Sequence, residues 1–210
     1  MRIRFLYIYF LFSLTGLYSS AQETKMSKVE IADFKRSVTV TAQRIHTLTT
    51  DFVQYKHMDF LSKDIVSSGR MIYRKPATLL WQYKKPYNYS VVFRNERIFI
   101  NNEGKASEFD AGNSEIFSKL NSMIVRSVSG DILDDKEFAI TYYRVKNQYC
   151  ASLVPRDGAL KKYIKQIEMT FDSDSNLKEV KLFESAADYT RIVFINRLLN
   201  GKVDETVFNF

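Results

Sequence analysis

His46 and His57 are the only histidines of the chain, and eleven residues separate them. Two imidazoles hold a metal most readily from one helix face, as in H-E-x-x-H, and that spacing is absent. Each histidine reads instead as a surface or helix-end residue. The six glycines that follow Gly16 never come closer than eight positions, which excludes both G-x-G-x-x-G and a phosphate-cradling loop. No G-x-S-x-G elbow occurs to present a nucleophilic serine. In FDSDSNLKE, Asp172, Asp174 and Asn176 imitate the start of a calcium loop. Leu177 stands where that loop needs glycine and Phe183 where it needs a bidentate glutamate, so the stretch reads as a polar hairpin turn. Cys150 is the single cysteine; it has no partner within the chain for a disulfide, and in the apolar run YCASLV it reads as a buried, inert thiol. Nothing in these residues argues for an enzyme, a metal or a cofactor.

The formal charge of +7 raises the question of a nucleic-acid partner, because lysines and tyrosines alternate in WQYKKPYNY. Such a pattern stacks bases and neutralises phosphates. The opening MRIRFLYIYFLFSLTGLYSSAQ argues against it. Two arginines, an apolar run from Phe5 to Tyr18 and the small residues Ser19, Ser20 and Ala21 form a cleavable export signal. The apolar run is shorter than the ~20 residues of a membrane span. The reading is therefore a signal peptide over 1–21 and one exported domain over 22–210, with no nucleic-acid partner. Loss of Arg2 and Arg4 lowers the charge to +5, still suited to anionic lipid or a negatively charged partner.

The elements that must position any site are mostly strands. Ser27 and Glu30 form a capping-box pattern, and Ile31, Phe34, Val38 and Ile45 recur at helical spacing after it. From Leu48 the period shortens and β-branched and aromatic residues dominate. A second amphipathic helix is expected over 114–126, with Ile116, Leu120, Met123 and Ile124 on one side. Short connections without regular strand–helix alternation predict an antiparallel sheet of ten or eleven strands, which must curl and can take helices on its concave face. The stretch RKPATLLWQYKKPY carries the only tryptophan and two of three prolines. It reads as a strand bounded by Pro76 and Pro86, where ladder donors are dispensable. Leu79, Trp81 and Tyr83 share one face of it.

Gln54, Gly69, Lys75-Pro76, Trp81-Gln82-Tyr83 and Pro86 follow the order F-x-Q…G-x…[RK]-P…W-x-Y-x-x-P, and GKVDETVFNF closes the chain. Taken together these residues resemble the LolA family of periplasmic lipoprotein carriers over most of the chain. The resemblance implies an incomplete, strongly curved antiparallel β-barrel, mainly β, with helices over an apolar concave face. It implies no catalysis. A monomeric carrier would shield the acyl chains of lipoproteins, take them from an inner-membrane ABC-type extractor and release them at an outer-membrane acceptor or the outer membrane itself. A carrier of another lipid or lipid-linked pigment, or an exported envelope interaction protein, stays open on the same fold.

By parity and by this resemblance, Phe52, Leu79, Trp81 and Tyr83 are the candidate lipid-binding residues on strands. An ordinary hydrophobic core reads identically at these positions. Met123 and Ile124 are the candidates on the mid-chain helix, methionine being an adaptable apolar contact. Two positions depart from the family pattern. Lys75 stands where the family has an arginine that bonds the lid closed, and lysine lacks the planar donor fork. Leu80 stands where many relatives have a charged or polar residue.

Overall fold

Ser27 opens the first helix as its sequence pattern requires. Its side chain accepts from the Glu30 amide at 3.3 Å, while the Glu30 carboxylate accepts from the Ser27 amide at 2.9 Å. These bonds satisfy two donors that a helix start leaves free. The resulting helix α1 (Lys28–Gln43) buries Phe34, Val38 and Ala42 along one stripe. The computed structural model describes residues 23–94, 97–110, 126 and 130–209. The export signal expected over 1–21, the helix expected over 114–126 except Arg126, and with it Met123 and Ile124, lie outside the described residues.

Twelve strands follow one another in a single antiparallel sheet. They are β1 (Glu23–Lys25), β2 (Thr47–His57), β3 (Ile65–Arg74), β4 (Thr78–Lys85), β5 (Tyr89–Arg94), β6 (Arg97–Asn102), β7 (Lys105–Asp110), β8 (Phe138–Val145), β9 (Gln148–Pro155), β10 (Gln166–Phe171), β11 (Leu177–Phe183) and β12 (Tyr189–Leu199). A short helix α2 (Gly158–Lys161) and a 3-10 turn (Glu205–Phe208) complete the described elements. The order across the sheet is β1-β8-β9-β10-β11-β12-β2-β3-β4-β5-β6-β7. Two meanders, β2–β7 and β8–β12, are thus sewn together where β12 pairs with β2, with Phe194 opposite Phe52. The sheet is not closed: β1 and β7 are its edges. Twelve strands exceed the ten or eleven expected, and the edges are the strands with the weakest sequence signal. β1 has three residues and β7 is the polar KASEFD, so neither carries an apolar alternation.

Side chains of seven consecutive strands, β10 through β5 in sheet order, converge on one cavity, which requires the sheet to curl. On the concave side α1 fills one half. Phe34 stacks on Tyr149 at 4.9 Å and meets Phe171 edge-on at 5.2 Å, among Ala151, Leu153 and Met169. On the convex side the C-terminal residues lie across β4 and β5. Phe208 packs on Leu80 and Val92, and Arg74 pairs with Glu205 while its guanidinium sits 5.4 Å above the Phe208 ring. Leu80 is buried under this C-terminal segment.

Candidate functional site

Strand pairing arranges the concave face of β2–β5 in rows. Leu48, Tyr73, Leu79 and Phe93 lie side by side, and Ile98 of β6 extends the row. All five are buried and form the floor nearest the end of α1. The next row holds Thr50, Met71, Trp81 and Val91; the one after it Phe52, Gly69, Tyr83 and Tyr89. Phe52 lies flat across Gly69, for which a Cβ would come within 2.7 Å of the Phe52 ring. The Trp81 indole then stacks on Phe52 at 4.2 Å, and Tyr83 meets the same ring edge-on at 5.4 Å. Gly69 also sits at a register shift, and its added Cβ would stand 1.9 Å from the Gln82 carbonyl oxygen. The glycine is what lets an aromatic stack form over this part of the sheet.

Trp81 and Tyr83 face a cavity of about 380 Å³. Its opposite wall comes from Ile167, Met169, Val180, Leu182, Ile192 and Phe194 on β10–β12, and Ile132 contributes from the segment before β8. Among the described residues, none that lines it is charged. Gln54 supplies an amide at one end, where Tyr83 Oη donates to Gln54 Oε1 at 2.9 Å. Burial raises the Tyr83 phenol above its ordinary pKa, so it remains a donor throughout the physiological range. The volume lies toward the small end of ligand cavities, about 300–1,000 Å³.

The predicted site residues thus divide by depth. Trp81 and Tyr83 line the cavity, whereas Phe52 and Leu79, 1% and 0% exposed, form its supporting layer. Lys75 is at the other end of β3, where its amide donates to the His46 carbonyl at 2.8 Å and its Nζ reaches the Gln43 carbonyl of α1 at 3.4 Å. The wall from β10–β12 was not among the candidates. Its only signal is the alternation of Ile167, Met169 and Phe171, which identifies a buried face without saying what it faces.

The residues first weighed for chemistry are occupied elsewhere. His57 Nδ1 lies 2.8 Å from the Asp64 carboxylate, with its ring stacked on Tyr189. His46 is exposed just after α1. Asp172 Oδ1 accepts from the amides of Asp174 and Asn176 and closes the β10–β11 turn. Cys150 is buried, and burial raises its thiol pKa. Among the described residues no three metal-binding side chains gather, and no helix is long and apolar enough to cross a membrane.

An open, curled antiparallel sheet around an uncharged pocket defines the class: a half-barrel with an apolar concavity. The chain belongs to the LolA family; the pattern of the outer membrane lipoprotein carrier protein LolA matches residues 43–210. No curated protein matches the chain. Among solved structures, MucB is similar at 13% identity, over 88% of this chain and 64% of MucB, with a TM-score of 0.51. A LolA superfamily protein from Nitrosomonas europaea is similar at 6% identity, over 84% of this chain and 97% of that one, with a TM-score of 0.44. The lipoprotein LppX of Mycobacterium tuberculosis is similar at 8% identity, over 85% and 99%, with a TM-score of 0.47. At these identities the likeness is one of fold.

Proposed function

We propose that this chain is an exported, non-enzymatic carrier that holds the acyl chains of lipoproteins in its concave pocket and moves them between the inner and outer membranes. The observation that carries the reading is the cavity of about 380 Å³ whose lining holds no charge among the described residues. Acyl chains cross water poorly because each buried methylene is worth about 0.8 kcal/mol. A dry wall of Trp81, Val91, Met169 and Phe194 offers the needed surface, and the pair of Gln54 and Tyr83 marks one end of it. Membership of a family described as lipoprotein carriers supports the cargo class. In this reading residues 1–21 direct export to the periplasm. An inner-membrane ABC-type extractor supplies the cargo, and an outer-membrane acceptor or the membrane itself receives it.

The test uses the chain lacking 1–21, a triacylated lipopeptide and the same peptide without acyl chains. Native mass spectrometry is expected to show a one-to-one complex with the acylated peptide alone. Failure to bind it, or equal binding of both peptides, overturns the reading. Protein isolated from its own envelope that carries a free lipid instead of a lipoprotein replaces the cargo and leaves the pocket's role intact.

A further inference from the structure

The concave face changes chemistry along its strands. Beyond the row of Trp81 and Val91, the side chains become hydrogen-bonding ones: Gln54 opposite Ser67, and Tyr83 beside Tyr89, which itself lies opposite Asn102. These residues enclose a second cavity of about 450 Å³. It shares Gln54, Tyr83 and Tyr89 with the apolar pocket and adds Ser67, Asn102 and Glu103. At its edge Tyr87 is 58% exposed.

The donors here are not used up within the protein. Gln54 Oε1 accepts from Tyr83, but among the described residues the Gln54 amide NH₂ group and the hydroxyls of Ser67 and Tyr89 have no hydrogen-bond partner. Ser67 is 7% exposed, so its side chain is nearly sealed within the protein. Among the described residues, the only charge on the lining is the Glu103 carboxylate. A like charge brought beside it is disfavoured.

We propose that this second cavity is a head-group site, resting on the carrier reading above: it takes the uncharged, ester- or amide-bearing end of an acylated ligand while the chains run inward past Trp81. Gln54 and Tyr83 sit at the junction, so they set which way round the amphiphile lies. Ester and amide oxygens accept from the free Gln54 amide and from the Ser67 and Tyr89 hydroxyls. A carboxylate or phosphate head meets Glu103 and loses by comparison. The site thereby selects for glyceryl-ester and acyl-amide heads of the kind an acylated protein terminus presents.

The test compares 1-monopalmitoylglycerol with palmitate, two ligands with the same chain, by displacement of a fluorescent acyl reporter from the chain lacking 1–21. The glyceride is expected to bind about tenfold tighter, equivalent to one or two hydrogen bonds. In the double variant Gln54→Leu, Tyr83→Phe, the ratio of the two affinities is expected to fall to near one. In Glu103→Gln, palmitate is expected to gain several-fold. Equal affinities in the unmodified chain, or a ratio that the double variant leaves in place, overturn the head-group site alone. If neither lipid displaces the reporter and the triacylated lipopeptide also fails to bind, the carrier reading falls and this one with it.

Discussion

The two halves of the concave face are built from the same kinds of residue and end in opposite states. Over β8 and β9, the face of Tyr142, Tyr149 and Ala151 is covered by α1, whose Phe34 lies against Tyr142, Tyr149 and Phe171. Over β3–β5, the face of Met71, Trp81, Val91 and Phe93 borders the cavity of about 380 Å³. Composition does not separate them, since aromatic and branched residues dominate both. Among the described residues, what separates them is a helix at the right height over one half and the size of the residue beneath. Ala151 leaves room for helix side chains to enter, whereas Phe52 and Trp81 stack into a flat aromatic surface. A hydrophobic sheet face becomes core or container according to what the rest of the chain lays on it.

The largest expected break in the comparison is Phe34→Ala. It removes the ring that fills the first half and should cost about 3–5 kcal/mol, read as a lowered midpoint in denaturant unfolding. The same truncation at Trp81, which faces open volume, should cost less and weaken acyl-reporter binding instead. Next comes Gly69→Ala. Its Cβ would meet the Gln82 carbonyl at 1.9 Å and the Phe52 ring at 2.7 Å, so β3 or β4 must shift. About 3 kcal/mol is expected, the upper end of overpacking costs. A stability change below about 0.5 kcal/mol would show that the aromatic stack does not depend on that close approach.

Much of this arrangement was legible in the sequence, and the remainder shows where legibility stops. The capping box of Ser27 and Glu30 is local, and it formed as read. The period-2 alternation in TLLWQY put Trp81 and Tyr83 on one face correctly, because parity is a property of a single strand. Depth is not. Phe52, Leu79 and Trp81 share the concave face, yet Phe52 and Leu79 are sealed and Trp81 borders space. Leu79 is sealed in the row nearest the end of α1, and Phe52 is sealed beneath the Trp81 and Tyr83 rings. The far wall was hidden for a related reason: Phe194 meets Phe52 only through the pairing of β12 with β2. Sequence spacing gives no hint of that join. The edges β1 and β7 escaped because the three residues of β1 and residues 105–108 of β7 are all exposed, so no burial imposes alternation there.

A matched pair of enlargements sharpens the contrast further. Ala151→Leu pushes atoms into a packed region where Ala151 is fully buried and should destabilise by about 1–3 kcal/mol. Val91→Phe adds its ring to open volume, so stability should move by less than about 1 kcal/mol, since the overpacking cost applies only where atoms already fill the space. Acyl-reporter affinity should nevertheless fall at least tenfold. Equal destabilisation by the two would mean that the second half is packed in solution.

A smaller effect distinguishes the convex side of the hollow half. Asp51 accepts from Arg70 Nε at 2.8 Å and from Asn196 Nδ2 at 3.1 Å, and the Arg70 bond is the main reason its carboxyl titrates below the usual range. A depressed folded-state pKa adds stability that is present above the ordinary carboxylate range and lost as pH falls through the depressed value. Asp51→Asn should therefore flatten the acid limb of the stability profile and leave its neutral plateau lower. An unchanged acid limb would assign that slope to other carboxylates.

The smallest expected effect concerns what fastens the helix of the filled half. The end of α1 is held by several contacts of unequal strength. Asn200 Oδ1 accepts from the His46 amide at 2.8 Å, and Asn200 Nδ2 donates to the Arg44 carbonyl at 2.9 Å. The Lys75 amide donates to the His46 carbonyl at 2.8 Å, a bond that no side-chain change removes. Against these, the Lys75 ammonium reaches Gln43 at 3.4 Å from an exposed position. Surface contacts of this kind contribute about 0–1 kcal/mol. Lys75→Ala is expected to lower stability by no more than about 0.5 kcal/mol and to change the acyl-reporter dissociation rate by less than about twofold, one RT or less in barrier height. Asn200→Ala should exceed it on both measures. A tenfold faster release from Lys75→Ala, with Asn200→Ala near unmodified behaviour, would make the lysine side chain the latch and reverse this ranking.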